Sequence, residues 1–493
     1  MIEAIFQTGN FSLASGWFLI AFAIFLTGYM FVYRRIRLRN AYILAFSLFF
    51  YWKLSGAYVL LLCAIALNDW LEAKFLDRLE PKSLRAKLIV AWSLCVNLAI
   101  LLVFKAAGFF FDLVEMLSGR QLLSLAGLAI PAGISFFIFQ SISYIVDVYR
   151  GNLKPLRSYF DYLLLLSFFP KMFLGPLVGN GDFIGQIHSR DLNFSREDTA
   201  KSSRYIVSGI IKYCVISRVT GALITIPAFQ AAGESGGAVS LLGMYAFAIQ
   251  IYCDFSGFTD LATGIAGLMG FRLSLNFDAP YKSATVTEFW RRWHISLSTW
   301  LKNYLYIPLG GSRKGRYRTY ANLIITMLLG GLWHGVGDVF IIWGLIIGVA
   351  LALHKVYLEI VPGSCPTGKG MSALGRIAGV ALTFHVILLG WLFFNSPSSA
   401  HAVSMLKSVF CNFNVSAAGV MISESMPAFV IMCIGYILHF LPASWNNWSD
   451  RILAKGGVPL SVVMIAAAIW VTLQLTAWLI GSDAAGLPIY ATF

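Results

Sequence analysis

Glu288-Phe289-Trp290-Arg291-Arg292-Trp293-His294, then Tyr304-Leu305-Tyr306-Ile307-Pro308-Leu309-Gly310-Gly311-Ser312-Arg313, then Leu332-Trp333-His334-Gly335: these three runs lie within Lys282–Gly335. From Lys282 to Arg318 there are eight Lys or Arg against one acid, Glu288, a net of +7 in a chain whose net charge is +14. Thr319 to Gly337 then carries no charge. A basic, water-facing segment therefore feeds into an apolar one that holds His334. As a helix from Thr319, it places His334 roughly 20 Å deeper, at about 1.5 Å per residue, within a hydrocarbon core about 30 Å thick. An imidazole at that depth is costly unless it faces protein or a wet cavity. It either serves chemistry or hydrogen-bonds neighbouring helices.

The rest of the chain reads the same way. Of its 493 residues 58% are hydrophobic and 12% charged, against about 25% charged in soluble domains. Uncharged runs at Ala4–Tyr33, Leu88–Phe104, Gln121–Val146, Gly236–Cys253, Thr319–Gly337, Ile377–Leu406 and Gly456–Ser482 approach or exceed the roughly 18 residues a span requires. They lack the two-residue alternation of a membrane β-barrel. The expectation is an all-α polytopic bundle of about 11 spans, one domain over residues 1–493. Glu3 and the length of Ala4–Tyr33 argue against a cleaved signal peptide, so the first helix should remain. The basic residues sit in short loops, where topology accounts for them without nucleic acid. The seven cysteines form no CxxC pair, so no metal site is expected.

Taken in order, Arg34–Arg39 should lie on the cytoplasmic side, with the N-terminus outside. Ala41–Trp52 and Ala57–Leu67 read as a tight helical hairpin. Leu88–Phe104 should cross outward and Gln121–Val146 return. Gln140, Ser143, Tyr144 and Asp147 are spaced at three and four, so they share one helix face. They either bond neighbouring helices or line a substrate path. Ser167–Pro176 holds two prolines and reads as a broken, re-entrant piece. Gly179–Arg204, the longest polar stretch, is too short for a catalytic domain; chemistry must occur inside the bundle. Asp254 and Asp260 follow an apolar run, as solvated acids at an interface or with Asp254 orienting a histidine. Asn276 caps, bends or orients. Trp290, Trp293, Leu297 and Trp300 recur at helical spacing, which predicts one amphipathic helix over 288–300 at headgroup depth. Arg291, Arg292 and His294 fall off that stripe, and the basic segment could hold lipid headgroups or a phosphate-bearing donor. His188, His354, His385, His401 and His439 read as structural or solvated.

The chain resembles the membrane-bound O-acyltransferase (MBOAT) family, closest to its alginate O-acetylation branch. The matching stretches run from Pro131 to Gly335; Glu288–Ser298, Tyr306–Gly311 and Leu332–Gly335 together are the specific combination. In Gly390–Asn395 the chain has Asn395 where the resemblance leads one to expect Arg. The resemblance implies a helical ring with a central tunnel, a cytoplasmic donor and a far-side acceptor. It also implies His334 as catalytic residue and His294 as its accessory. Trp333, Tyr304, Arg291, Arg292, Asp254, Asn276, Gln140 and Ser143 are candidates for orienting groups or lining the path.

The chemistry fits these residues. Passing an acyl group from a thioester to a hydroxyl needs a base, and a neutral imidazole, with an ordinary pKa of about 6.5, suits that task. An acyl-histidine intermediate is the rival route. The donor expected is acetyl-CoA or an acyl carrier protein thioester, with no tightly bound cofactor. Expected partners are membrane lipids, a periplasmic or surface acetyl-transferring protein and a polysaccharide acceptor, and the expected location is the bacterial inner membrane. A glycan or lipid-precursor flippase using the same buried histidines is the alternative.

Overall fold

The computed structural model describes residue 13 and residues 16–118 and 130–480, apart from 173–174, 178, 193, 232–233, 362, 364, 366 and 369. The described residues contain helices and no strand. Six helices are long and apolar enough to cross a membrane: Leu84–Lys105, Arg196–Gln230, Gly237–Leu268, Asp338–Ile360, Ala373–Asn395 and Ser444–Leu479. The pair Ser399–Cys411 and Val415–Glu424, bent by 115°, makes a seventh if counted as one span. Phe18–Val32, Ile134–Tyr149 and Met426–Phe440 are shorter apolar helices. The expected runs at 4–33, 121–146 and 456–482 lie partly outside the described residues.

The chain divides into two compact units. The first comprises Met1–Ser202 and Leu261–Ser274. Its expected hairpin is present, as Ile36–Ser55 and Tyr58–Asp77 turning at Gly56, where φ is 58°. Arg39, in the cluster expected on the cytoplasmic side, is fully buried. Its guanidinium donates to the carbonyls of Ile187 (2.7 Å) and Ser189 (3.0 Å) at the C-terminus of Asn180–His188. Carbonyls left open at a helix end satisfy such a cation. The broken piece after Ser167 is covered by protein: Phe168 and Phe169 are fully buried, and the Phe169 ring packs on those of Phe18, Phe25, Phe46 and Phe50. Asp69 accepts from Tyr162 (2.9 Å), Ser141 and Asn97, which joins four helices of this unit.

The second unit comprises Ser203–Asp260 and Leu275–Phe493. Here the sequence missed a span. Arg196–Gln230 is interrupted by Lys201, Arg204, Lys212 and Arg218, so no long uncharged run betrays it. In the structure Lys212 reaches Asp260 at 2.7 Å, Arg204 reaches Asp450 at 2.6 Å and Arg218 donates to the Tyr213 hydroxyl at 2.7 Å. Pairing of this kind makes ionisable groups tolerable in an apolar setting. Wide π turns at Ile211–Ser217 and Gly221–Thr225 interrupt the same helix. The helix carrying Asp254 does not stop at Cys253; it is Gly237–Leu268 and runs straight through both acids. The expected run 377–406 is broken after Asn395, and the last helix bends at Gly457, ahead of Pro459.

Arg316–His334 and Asp338–Ile360 form a helical hairpin closed by glycines. A Cβ on Gly344 would meet the Met327 carbonyl oxygen at 2.6 Å, and one on Gly348 the Ile324 Cα at 2.9 Å. This is the close approach that small residues four apart permit between apolar helices. A Cβ on Gly331 would strike the Phe340 carbonyl.

Candidate active site

His334 is the last residue of its helix, and the chain turns at Gly335. Its imidazole is 5% exposed. Ring centroids of Trp333, Phe394, Trp343 and Phe340 stand 4.6, 5.1, 5.4 and 6.5 Å from it. The surround is thus aromatic side chain of the same unit, much of it buried. The glycine after it is required by space: a Cβ on Gly335 would collide with the Phe340 ring.

The predicted single helix over 288–300 is absent. Val286–Arg292 and Ile295–Leu301 are separate, and His294 between them has φ 42° and ψ 55°. A left-handed non-glycine residue costs on the order of 1 kcal/mol and persists only where its surroundings impose it. The surroundings are Asn276. Its carbonyl accepts from Ile295 N at 2.9 Å, and its Oδ1 accepts from Ser296 N (3.2 Å) and Ser296 Oγ (2.9 Å). His294 Nδ1 lies 3.2 Å from the same Oδ1. Because that oxygen only accepts, Nδ1 carries the proton and Nε2 the lone pair. His294 is 1% exposed, with Phe255 edge-on at 4.5 Å. Burial lowers its pKa to about 3, so it stays neutral.

Trp293 explains why the segment folds inward. It packs on Phe277 (5.0 Å), Phe289 (5.6 Å) and Trp391 (4.9 Å). Trp391 stacks on Trp343 at 6.2 Å, and Trp343 abuts His334. A continuous run of rings thus connects the two histidine-bearing segments. Sequence reasoning singled out Trp333 but not Phe340, Trp343, Trp391 or Phe394. The spacing of three between Trp391 and Phe394 was the available signal.

The other candidates separate into roles. Arg292 is a clamp, bound to Glu288 (3.0 Å) and Asp278 (3.1 Å). Glu288 also accepts from Ala284 N at 2.9 Å, while its own N–H is capped by Thr285 Oγ1 at 3.1 Å. Arg291 is exposed, and Tyr304 is half-buried against Trp300 at 5.3 Å. Asp254 is no interfacial acid: it is 1% exposed and accepts from Ser217 Oγ at 3.3 Å. Gln140 and Ser143 belong to the first unit, where with Asp147 they converge on Asn180, and Lys171 donates to Gln140 at 3.3 Å. Tyr144 does not join them; its hydroxyl accepts from Leu156 N at 2.8 Å. Of the remaining histidines, His439 is buried, with Nε2 accepting from Tyr281 N at 3.1 Å, while His188 pairs with Asp161 at 3.1 Å.

Two cavities occur in the second unit. One, of about 720 Å³, includes Arg204, Lys212, Tyr252, Lys282, Arg292 and His439 in its wall. The other, of about 920 Å³, is bounded mainly by Ala373–Phe384 together with Tyr245, Tyr281, Lys282, Tyr436 and Phe440. Neither is lined by His334 or His294.

A family model described as membrane-bound O-acyltransferase matches residues 152–396, which include both histidines and the glycine-closed hairpin. The chain belongs to the membrane-bound O-acyltransferase family and is a multi-pass membrane acyltransferase. Among its relatives is a Pseudomonas putida protein named probable alginate O-acetylase, 37% identical over 384 residues, covering 76% of this chain and 75% of that one. The peptidoglycan O-acetyltransferase of Helicobacter pylori is 33% identical over 388 residues, 74% of this chain and 72% of that one. A teichoic acid D-alanyltransferase of Streptococcus thermophilus is 29% identical over 290 residues, 53% and 68% of the two chains.

Proposed function

We propose that this chain moves an acetyl group from a cytoplasmic thioester, acetyl-CoA or an acyl carrier protein, to hydroxyls of a cell-envelope polysaccharide. The transfer passes through an extracytoplasmic partner protein, and the chain works in the bacterial inner membrane. The observation that carries the reading is His334, held at a helix end among the rings of its own unit instead of on a lipid face. Acetyl is favoured over D-alanyl because the O-acetylating relatives match at 33–37% identity over 74–76% of the chain, and the D-alanylating ones at 24–29% over 53–55%.

In this reading the imidazole of His334 takes the acceptor's hydroxyl proton as the oxygen attacks the thioester carbonyl. The C–S bond breaks, the new C–O bond remains, and the proton passes to the leaving thiolate. General-base action of this kind contributes about 10²–10⁴-fold. His294, neutral with its Nε2 lone pair outward from Asn276, accepts a hydrogen bond and orients a reactant; it is not the cation of the site. Membranes bearing His334→Ala and supplied with radiolabelled acetyl thioester test the proposal. The expected result is loss of label in the acceptor; retained transfer overturns the assignment. Label trapped on protein in a variant lacking acceptor would replace the base by an acyl-histidine.

A further inference from the structure

We propose that the cavity of about 920 Å³ is a binding groove for one anionic phospholipid. Its wall is apolar and aromatic: Ile377, Val380, Phe384, Tyr245, Tyr436 and Phe440. Along the helix Ala373–Asn395, lining residues run from Ala373 to Phe384, roughly 16 Å at about 1.5 Å per residue, enough for most of one extended acyl chain. The groove is also polarised. Arg376 stands in the first turn of that helix, and Lys282 lines the same cavity. Phe440, the last residue of Met426–Phe440, marks the basic end from the other helix.

Two cations, Lys282 and Arg376, line the groove at that end, and no carboxylate does. Arg292 bridges Glu288 and Asp278, Arg376 approaches Glu288 at 3.8 Å, and Lys282 Nζ donates to the Leu441 carbonyl at 2.6 Å. With Arg292 engaged by Glu288 and Asp278 behind the wall, the groove itself presents only positive charge, the complement of a phosphodiester. Arg376 is exposed, so its guanidinium is available for the bidentate geometry that phosphate favours. A bare apolar helix face would sort no headgroup. A groove that begins at an uncompensated cation and continues as aromatic wall selects an amphiphile with a negative head.

The test uses the purified full chain in detergent, exchanged with mixed micelles of phosphatidylglycerol and phosphatidylcholine and read by native mass spectrometry. Wild type should retain one phosphatidylglycerol at least tenfold over phosphatidylcholine. Lys282→Gln with Arg376→Gln should abolish the preference while leaving some lipid bound. Ala381→Trp, at an exposed position on the groove wall, should expel both lipids without touching the charges. Equal retention of the two lipids by wild type overturns the proposal whatever the variants do. So does a phosphatidylglycerol preference that Ala381→Trp leaves intact.

Discussion

At the scale of single residues, His334 and His294 do different work in spite of their shared chemistry. His334 is enclosed by rings, and its removal should lower acetyl transfer by about 10²–10⁴-fold while the protein still accumulates in the membrane. His294 is fixed by one amide oxygen. Asn276→Ala removes the acceptor shared by His294 Nδ1, Ser296 N and Ser296 Oγ. Thermal unfolding should show a loss of at least about 1–3 kcal/mol, the cost of stranding buried donors, together with reduced turnover. The low pKa of His294 also has a signed consequence. Its folded value of about 3 lies below the ordinary 6.5, so the folded state binds fewer protons. Its contribution is unimpaired above pH 6.5 and is lost as pH falls from there toward 3, at up to about 1.4 kcal/mol per pH unit. His294→Gln should flatten that part of the pH–stability curve; an unchanged slope would rule the assignment out. These residues were legible in the sequence, because a histidine in an apolar or basic-aromatic run is conspicuous. The conformation of His294 was not: its neighbours carry helical spacing, and only Asn276, eighteen residues away, breaks the helix.

At the scale of elements, the hairpin Arg316–His334/Asp338–Ile360 depends on backbone proximity at Gly344 and Gly348. Gly344→Val should drive the helices apart and cost more than about 2 kcal/mol, with transfer lost alongside folding, because backbone cannot yield as a side-chain tip can. Gly419→Ala, in the helix Val415–Glu424 with open space around it, should be neutral or slightly stabilising. The contrast between the two melting curves checks the packing argument. Long apolar helices were visible as uncharged runs. Arg196–Gln230 was not, since its charges cancel against residues 48 and 246 positions away, which no local window sees. Asp260→Asn should expose that dependence by leaving half-buried Lys212 without its counter-ion, a loss of about 1–3 kcal/mol.

At the scale of the whole molecule, family and reaction class were readable because three short motifs occur in one order. The aromatic enclosure was not readable, because Trp343 and Phe394 reach His334 from helices that begin at Asp338 and Ala373. If the chain acts as proposed, cells lacking it should lose acetate released from an envelope polysaccharide by mild alkali. The glycan itself should still be made. Persistence of that acetate would send the search for its donor elsewhere.

The π turns in Arg196–Gln230 also constrain how this chain can vary. Between Lys212, which meets Asp260, and Ser217, which meets Asp254, the winding is wider than α. Deleting one residue from 213–216 would let that coil tighten to α and absorb the gap, because four α steps of about 100° turn the chain nearly as far as five of the wider steps. Ser217 would still face Asp254, so a single-residue gap here should be better tolerated than one in a plain α stretch of the same helix.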